Sequence, residues 1–342
     1  MLAKRNKTGQ VSTLLLNEQL RHPPLNQIFE IVLPVFGLIG VGYAIAYWRV
    51  LPEGSDQALA DFVFLVAIPP LIFRTIVNAD LGGSSPWLLW LAYYSAFAVT
   101  WVTGTFIVRR VFKRDARAGV VGGLSGAYAN SLLLGLPLIL TAYGEEGAAT
   151  ISLLVVVNLP VMMTVGAVLI ERALVADGQA GGMSIGASLV SAVRSLSKNP
   201  IIIAVFIAIF WRLIGLPFEL GPVSSVINRL ADVGGTMALF AVGMNLVRYS
   251  ISGNVLASIV LTVIKLALMP ALVFLLVAFV VELPPVWAKS LVIAAACPTG
   301  VNAWVVASRF KTGQALASNT ITISTAAAVL SVAVWLHLVE YL

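Results

Sequence analysis

Ser125-Gly-Ala-Tyr-Ala-Asn130-Ser-Leu-Leu-Leu-Gly135-Leu-Pro137 and, in the other half of the chain, Ala296-Cys297-Pro298-Thr299-Gly300-Val301-Asn302-Ala303-Trp304 are apolar segments broken by glycine and proline. Inside a bilayer an interrupted helix leaves backbone N–H and C=O groups without partners. Each costs several kcal/mol unless protein or a water-filled cavity satisfies it. Two such breaks at corresponding places in two halves are the best sequence-level pointer to the substrate site of a carrier.

The surrounding composition supports a membrane setting. Of the 342 residues, 59% are hydrophobic and 11% charged, with a mean hydropathy of +0.97; a soluble domain carries roughly a quarter charged residues. The net charge of +6 comes from short loops between apolar runs, with no continuous basic face, so no nucleic-acid partner is expected. The single cysteine, Cys297, excludes an internal disulfide or a multi-cysteine metal site, and reads as a small packing residue. His22 and His337 form no zinc motif, and no GxGxxG or Walker A sequence occurs, so neither metal nor cofactor is expected. The absence of Ser/His, paired-Asp or metal-ligand constellations within the spans argues against an intramembrane enzyme.

Ten apolar spans are predicted, at roughly 27–48, 57–78, 86–108, 118–142, 147–170, 199–217, 225–247, 253–281, 286–309 and 314–340. Residues 1–26 read as a polar N-terminal extension, and 171–198, with four glycines among polar residues, as a cytoplasmic linker between repeats spanning 27–170 and 199–342. Placing the odd-to-even loops on one side collects twelve lysines and arginines against four on the other, with Arg109, Arg110, Lys113, Arg114 and Arg117 the densest group. That side is then cytoplasmic and both termini lie outside, although Lys4, Arg5, Lys7 and Arg21 pull the other way. Span one ends Ala44-Ile45-Ala46-Tyr47-Trp48-Arg49 and span six Ala208-Ile209-Phe210-Trp211-Arg212, about 165 residues later. Five spans per half, an odd number, make the second half an inverted repeat of the first.

Asn130 offers a neutral donor and acceptor at mid-membrane, suited to a carboxylate or to gluing two helices. Pro137 is expected to open the helix around 130–136, with Gly135 permitting a close crossing. Pro298, Thr299, Gly300 and Asn302 form the matching break, where helix N-termini with unpaired N–H groups would hold an anion without a formal cation. Pro69-Pro70 marks a further kink in span two, and the small residues of span seven, Gly234, Gly235 and Gly243, favour close packing. Lys265 in span eight either attracts an organic anion, pairs with Asp232 or a helix C-terminus, or snorkels to the surface.

From about residue 29 to 340 the chain resembles the auxin efflux carrier family, within the bile/arsenite/riboflavin transporter superfamily. The most specific piece is Asn130-Ser-Leu-Leu-Leu-Gly135-Leu-Pro137-Leu with Tyr143-Gly144; Ala296-Cys297-Pro298-Thr299-Gly300-Val301 matches the second crossover, and Ile68-Pro69, Asn199-Pro200, Asp232-Val-Gly234 and Lys265…Pro270 add to it. The resemblance implies an all-α membrane protein of ten helices in two inverted five-helix repeats, whose broken helices, spans four and nine, cross in a bundle beside a scaffold. It implies secondary transport of an organic anion by elevator-like alternating access, with Asn130 touching substrate and Pro137 and Pro298 shaping the crossing. Ala129 and Thr299 stand where plant carriers tend to have proline and glutamine, and the linker is shorter, so a small mono- or dicarboxylate fits better than auxin. The expected setting is a bacterial-type inner membrane, with a homodimer left open. The rivals are a sodium-coupled symporter of the bile-acid type, and a channel or non-transporting sensor on the same fold.

Overall fold

The structure is a computed structural model that describes residues 25–79, 85–178, 197–219, 221–253 and 255–342. Nearly all of the expected extension 1–26 and residues 179–196 of the expected linker lie outside the described residues. Among the described residues the regular structure is helical, apart from one isolated two-residue bridge. In chain order the helices are α1 (Leu25–Tyr47), α2 (Ser55–Asn78), α3 (Pro86–Val111), α4 (Ala116–Ala127), α5 (Ser131–Ala176), α6 (Pro200–Leu213), α7 (Pro222–Leu246), α8 (Val255–Phe279), α9 (Pro285–Ala296), α10 (Asn302–Arg309) and α11 (Gln314–Leu338). A 3₁₀ turn, Val339–Tyr341, extends α11.

Six helices, α1, α2, α3, α5, α8 and α11, are long and apolar enough to cross a bilayer, as expected of a multi-pass membrane protein. Large apolar side chains face outward along them, including Leu33, Trp87, Val102 and Phe279. The remaining helices do not meet the same standard as single rods: α6 and α9 are short, α4 and α10 border the breaks, and α7 is long but less apolar. The 46-residue α5 is itself bent, because Gly144 takes φ 64° and ψ −157° and divides it into two arms.

Three prolines follow one local rule. A π turn at Val63–Ala67 precedes Pro69, another at Ser131–Gly135 precedes Pro137, and a third at Ile264–Leu268 precedes Pro270. Proline lacks an N–H and its ring crowds the preceding turn, so a widened turn relieves the clash without ending the helix. A carbonyl in the third π turn is recovered from outside, as Trp335 Nε1 donates to Leu266 O at 2.8 Å. The helix around Pro137 therefore opens earlier than expected. Its non-helical residues are Tyr128–Asn130, and 131–135 remain helical in the π form.

Two packed groups divide the helices. In the first, α1 lies along α7, α2 packs on α6 and α7, and the spacing is set by missing side chains. A Cβ at Gly243 would stand 2.0 Å from Ile39 O, and one at Gly42 would stand 2.2 Å from Phe240 O, so each helix seats a glycine on the other's backbone. Gly234 meets Ala67 O at 3.0 Å in the same way, which is the packing role expected of the small residues in this span. In the second group α3 packs on α4 and α8, α8 on α9 and α11, and α9 on α5. At the start of α4, Asp115 accepts from the Ala118 amide at 2.7 Å and Asp177, just beyond α5, accepts from the Ala116 and Arg117 amides at 2.8 and 3.2 Å. Burial opposes ionisation of Asp177, but those amides and the Arg117 guanidinium outweigh it and hold the carboxyl below the usual range.

Candidate functional site

The two broken segments meet. The Asn130 N–H donates to Pro298 O at 2.8 Å and the Gly300 N–H to Tyr128 O at 2.9 Å, so Ala129 and Thr299 form an antiparallel bridge between the halves. Each break thus satisfies part of the backbone that the other leaves open, which is what a low-dielectric setting demands. The approach requires Gly300, whose Cβ would stand 2.8 Å from the Tyr128 ring and 3.1 Å from Ala129 O. At Gly135 the nearest atom to such a Cβ is Cys297 Sγ at 3.3 Å, so this residue also lies at the crossing. Cys297 itself is buried and its thiol donates to Ile293 O at 3.4 Å.

Beyond the bridge the chain resumes helix twice, at Ser131 and at Asn302. First-turn amides have no acceptor within their own helix. Here the N–H groups of Ser131, Leu132 and Leu133, and of Val301 and Asn302, find no protein acceptor among the described residues. These residues line one cavity of about 280 Å³, which extends from the crossing toward the N-terminal ends of α2 and α6. Four asparagines share its wall: Asn130, Asn158, Asn199 and Asn302. Among the described residues the Asn130 side chain makes no hydrogen bond, and the Asn158 Oδ1 is buried without a partner. Asn302 Nδ2 donates to Tyr128 Oη at 2.9 Å, and Asn199 caps α6 by accepting from the Ile201 and Ile202 amides at 2.9 and 3.4 Å. Among the described residues the formal charge on the wall is the exposed carboxylate of Asp61, which accepts from Gln57 Nε2 at 2.9 Å.

The remaining expected site residues are placed differently. Thr299 is buried off the cavity, its hydroxyl donating to Ser125 O at 2.7 Å and its N–H to Ser324 Oγ at 3.0 Å. Lys265 lies on the π turn of α8, fully buried, with Nζ donating to Ala295 O at 2.5 Å. Of the roles open to it, this is the helix C-terminus pairing, with the amine on a terminal carbonyl of α9. Asp232, the other partner considered for it, pairs with Arg74 at 2.5 Å. Pro298 supplies the carbonyl that receives the Asn130 amide, and Pro137 and Pro69 each stand in the first turn of regular helix after a π turn, in α5 and α2. Asn158 was not singled out from the sequence. The available signal was a lone amide in the apolar run Val155-Val-Val-Asn158-Leu-Pro160, the same kind of signal that exposed Asn130.

A family profile described as membrane transport protein matches residues 27–336. Among curated relatives, the chain is 26% identical over 322 residues to a Rhizobium meliloti protein named "Putative malonate transporter", covering 92% of this chain and 96% of that one. It is 26% identical over 334 residues to auxin efflux carrier component 8 of Arabidopsis thaliana, covering 83% and 89%. An uncharacterized transporter of Methanocaldococcus jannaschii is 22% identical over 318 residues, covering 90% and 97%.

Proposed function

Because the chain belongs to the membrane transport protein family, that of the auxin efflux carriers, we propose that it is a secondary carrier of a small mono- or dicarboxylate, with a malonate-sized acid as the first candidate. The observation that carries this reading is the cavity at the paired breaks, where two sets of unpaired amides and the free amide of Asn130 converge without a formal cation. Helix N-termini and neutral amides hold a carboxylate by directed hydrogen bonds, and weakly enough to release it on the other side. Asn130 and Asn302 orient the carboxylate from the crossing and Asn158 contacts it from α5. Thr299 and Lys265 contribute by fixing the break and the end of α9. The Asp61 carboxylate on the far wall disfavours a second full negative charge, so a monoanionic substrate form fits best.

In this reading the ten spans are α1, α2, α3, α4 with the first arm of α5, the second arm of α5, α6, α7, α8, α9 with α10, and α11. They form two inverted five-helix repeats. The paired contacts favour this, since α1 with α7 and α2 with α6 are the exchange expected of a two-fold relation. The α1, α2, α6 and α7 group is the scaffold and the other group, which carries the crossing, moves against it. With the basic loops on the cytoplasmic side of a bacterial-type inner membrane, the cavity lies toward the cytoplasm and both termini outside.

The decisive experiment is counterflow of labelled malonate and other short carboxylates in proteoliposomes. Saturable counterflow that Asn130→Ala removes is expected. Linear, unsaturable flux would identify a channel, binding without flux a sensor, and strict sodium dependence the bile-acid-type symporter.

A further inference from the structure

On the outer face of the second helix group a groove of about 310 Å³ runs between α3, α4 and α5. Trp101, Val102, Phe106 and Leu169 wall it, and Arg109 and Arg110 stand at one end. Val102 and Phe106 are 69% and 60% exposed, on a helix apolar enough to span a bilayer, so the groove opens toward acyl chains. Trp101 closes its floor by donating Nε1–H to Val120 O at 3.1 Å. The two arginines sit on the π turn Ile107–Val111 that ends α3, at the level where a span meets the headgroups.

These arginines are unspent. Arg74, Arg117, Arg248 and Lys289 each pair with a carboxylate, and Arg212 donates to the final carbonyls of α2. Arg109 and Arg110 are exposed and make no ion pair or hydrogen bond among the described residues. The Arg109 stem is nevertheless held in place: its Cγ and Cδ lie 2.4 and 2.8 Å from where a Cβ on Gly119 would stand, so it lies across the bare face of α4. A fixed stem loses less side-chain entropy when its guanidinium takes a ligand.

We propose that this groove binds one anionic phospholipid, its phosphate on Arg109 and Arg110 and an acyl chain along Val102, Phe106 and Leu169. Charge complementarity selects an anionic headgroup, and the apolar wall selects a lipid over a soluble phosphate. The site is separate from the carboxylate cavity and does not depend on what the carrier moves.

Native mass spectrometry of the purified full chain tests this, with phosphatidylglycerol and phosphatidylcholine of identical chains and glycerophosphoglycerol as the bare headgroup. One retained phosphatidylglycerol is expected, with neither of the other two retained. Arg109→Ala with Arg110→Ala should weaken retention about a hundredfold, a factor of about ten for each charge-assisted hydrogen bond to the phosphate that is lost. Lys113→Ala with Arg114→Ala, an equal charge change just beyond α3, should weaken it no more than about fivefold, because neither side chain lines the groove and only a screened, longer-range attraction is lost. Val102→Trp should fill the groove and reduce retention with the arginines intact, which keeps the test valid if the double arginine variant misfolds. Equal retention of both lipids, equal loss in the two double variants, or binding of the bare headgroup as tight as the lipid would each overturn the proposal.

Discussion

Asn130 and Thr299 flank the same pair of crossed breaks, yet their side chains do different work. The Asn130 amide faces the cavity without a partner among the described residues, whereas the Thr299 hydroxyl is committed to Ser125 O. Asn130→Ala should therefore leave folding intact and weaken carboxylate binding by about ten- to a hundredfold, the value of a hydrogen bond to a charged group, about 1.5–3 kcal/mol. Titration calorimetry with a short carboxylate measures it. Thr299→Val should do the reverse, lowering the unfolding midpoint because Ser125 O is left unpaired at a cost of about 1–3 kcal/mol, with affinity nearly unchanged. A large affinity loss in Thr299→Val would return this residue to the binding set. The contrast shows what a sequence exposes at this scale. Asn130 stands out because a polar amide in an apolar run is costly unless something satisfies it. Thr299 and Lys265 carried the same signal, but the carbonyls they satisfy, Ser125 O and Ala295 O, belong to segments 174 and 30 residues away.

At the scale of helices, the breaks and bends were legible because glycine and proline act locally, although their exact position was not. Pro137 suggested an opening at 130–136. The structure opens at Tyr128–Asn130 and absorbs the proline in a π turn, because the pairing with Pro298 and Gly300 fixes where the backbone leaves the helix. That pairing is a long-range contact that no local pattern contains. The same is true of the cap on α4, where Asp177 reaches back across 61 residues to the Ala116 amide. Its carboxyl is held below the usual range, so the sign of its pH effect is fixed. The stabilisation is fully present above the unfolded-state value of about 3.9 and is lost as pH falls through the lower folded-state value. Asp177→Ala should cost about 1 kcal/mol, the ordinary value of a helix N-cap, and should flatten the acid limb of the stability curve. Unfolding midpoints of parent and variant between pH 7 and pH 3 measure both, and parallel curves would mean that the cap carries no linkage.

For the whole molecule, the arrangement of charges on the side opposite the cavity bears on the proposed movement of one helix group against the other. Arg74 on α2 joins Asp232 on α7 at 2.5 Å, within one group, and Glu145 on α5 at 3.3 Å, in the other. Glu145 follows Gly144, the bend that separates the two arms of α5, so the tie acts at that bend. If one group travels against the other, the Arg74–Glu145 contact must break, and it contributes to holding the cavity-side opening while it lasts. Glu145→Gln should then shift the population toward opening at the Arg74 face. An ion pair this exposed contributes about 0.2–1 kcal/mol, so the shift should be no more than about fivefold. The measurement is thiol labelling of Ser225→Cys, which lines the groove beside Arg74, in a protein whose native Cys297 is buried. Labelling should rise in the Glu145→Gln background while labelling of Asp61→Cys at the cavity falls. Asp232→Asn, which cuts only the contact inside one group, should move neither rate by a comparable factor. Were Asp232→Asn to reproduce the Glu145→Gln shift, Arg74 would be a local stabiliser of α2 and α7, and the restraint between the groups would lie elsewhere.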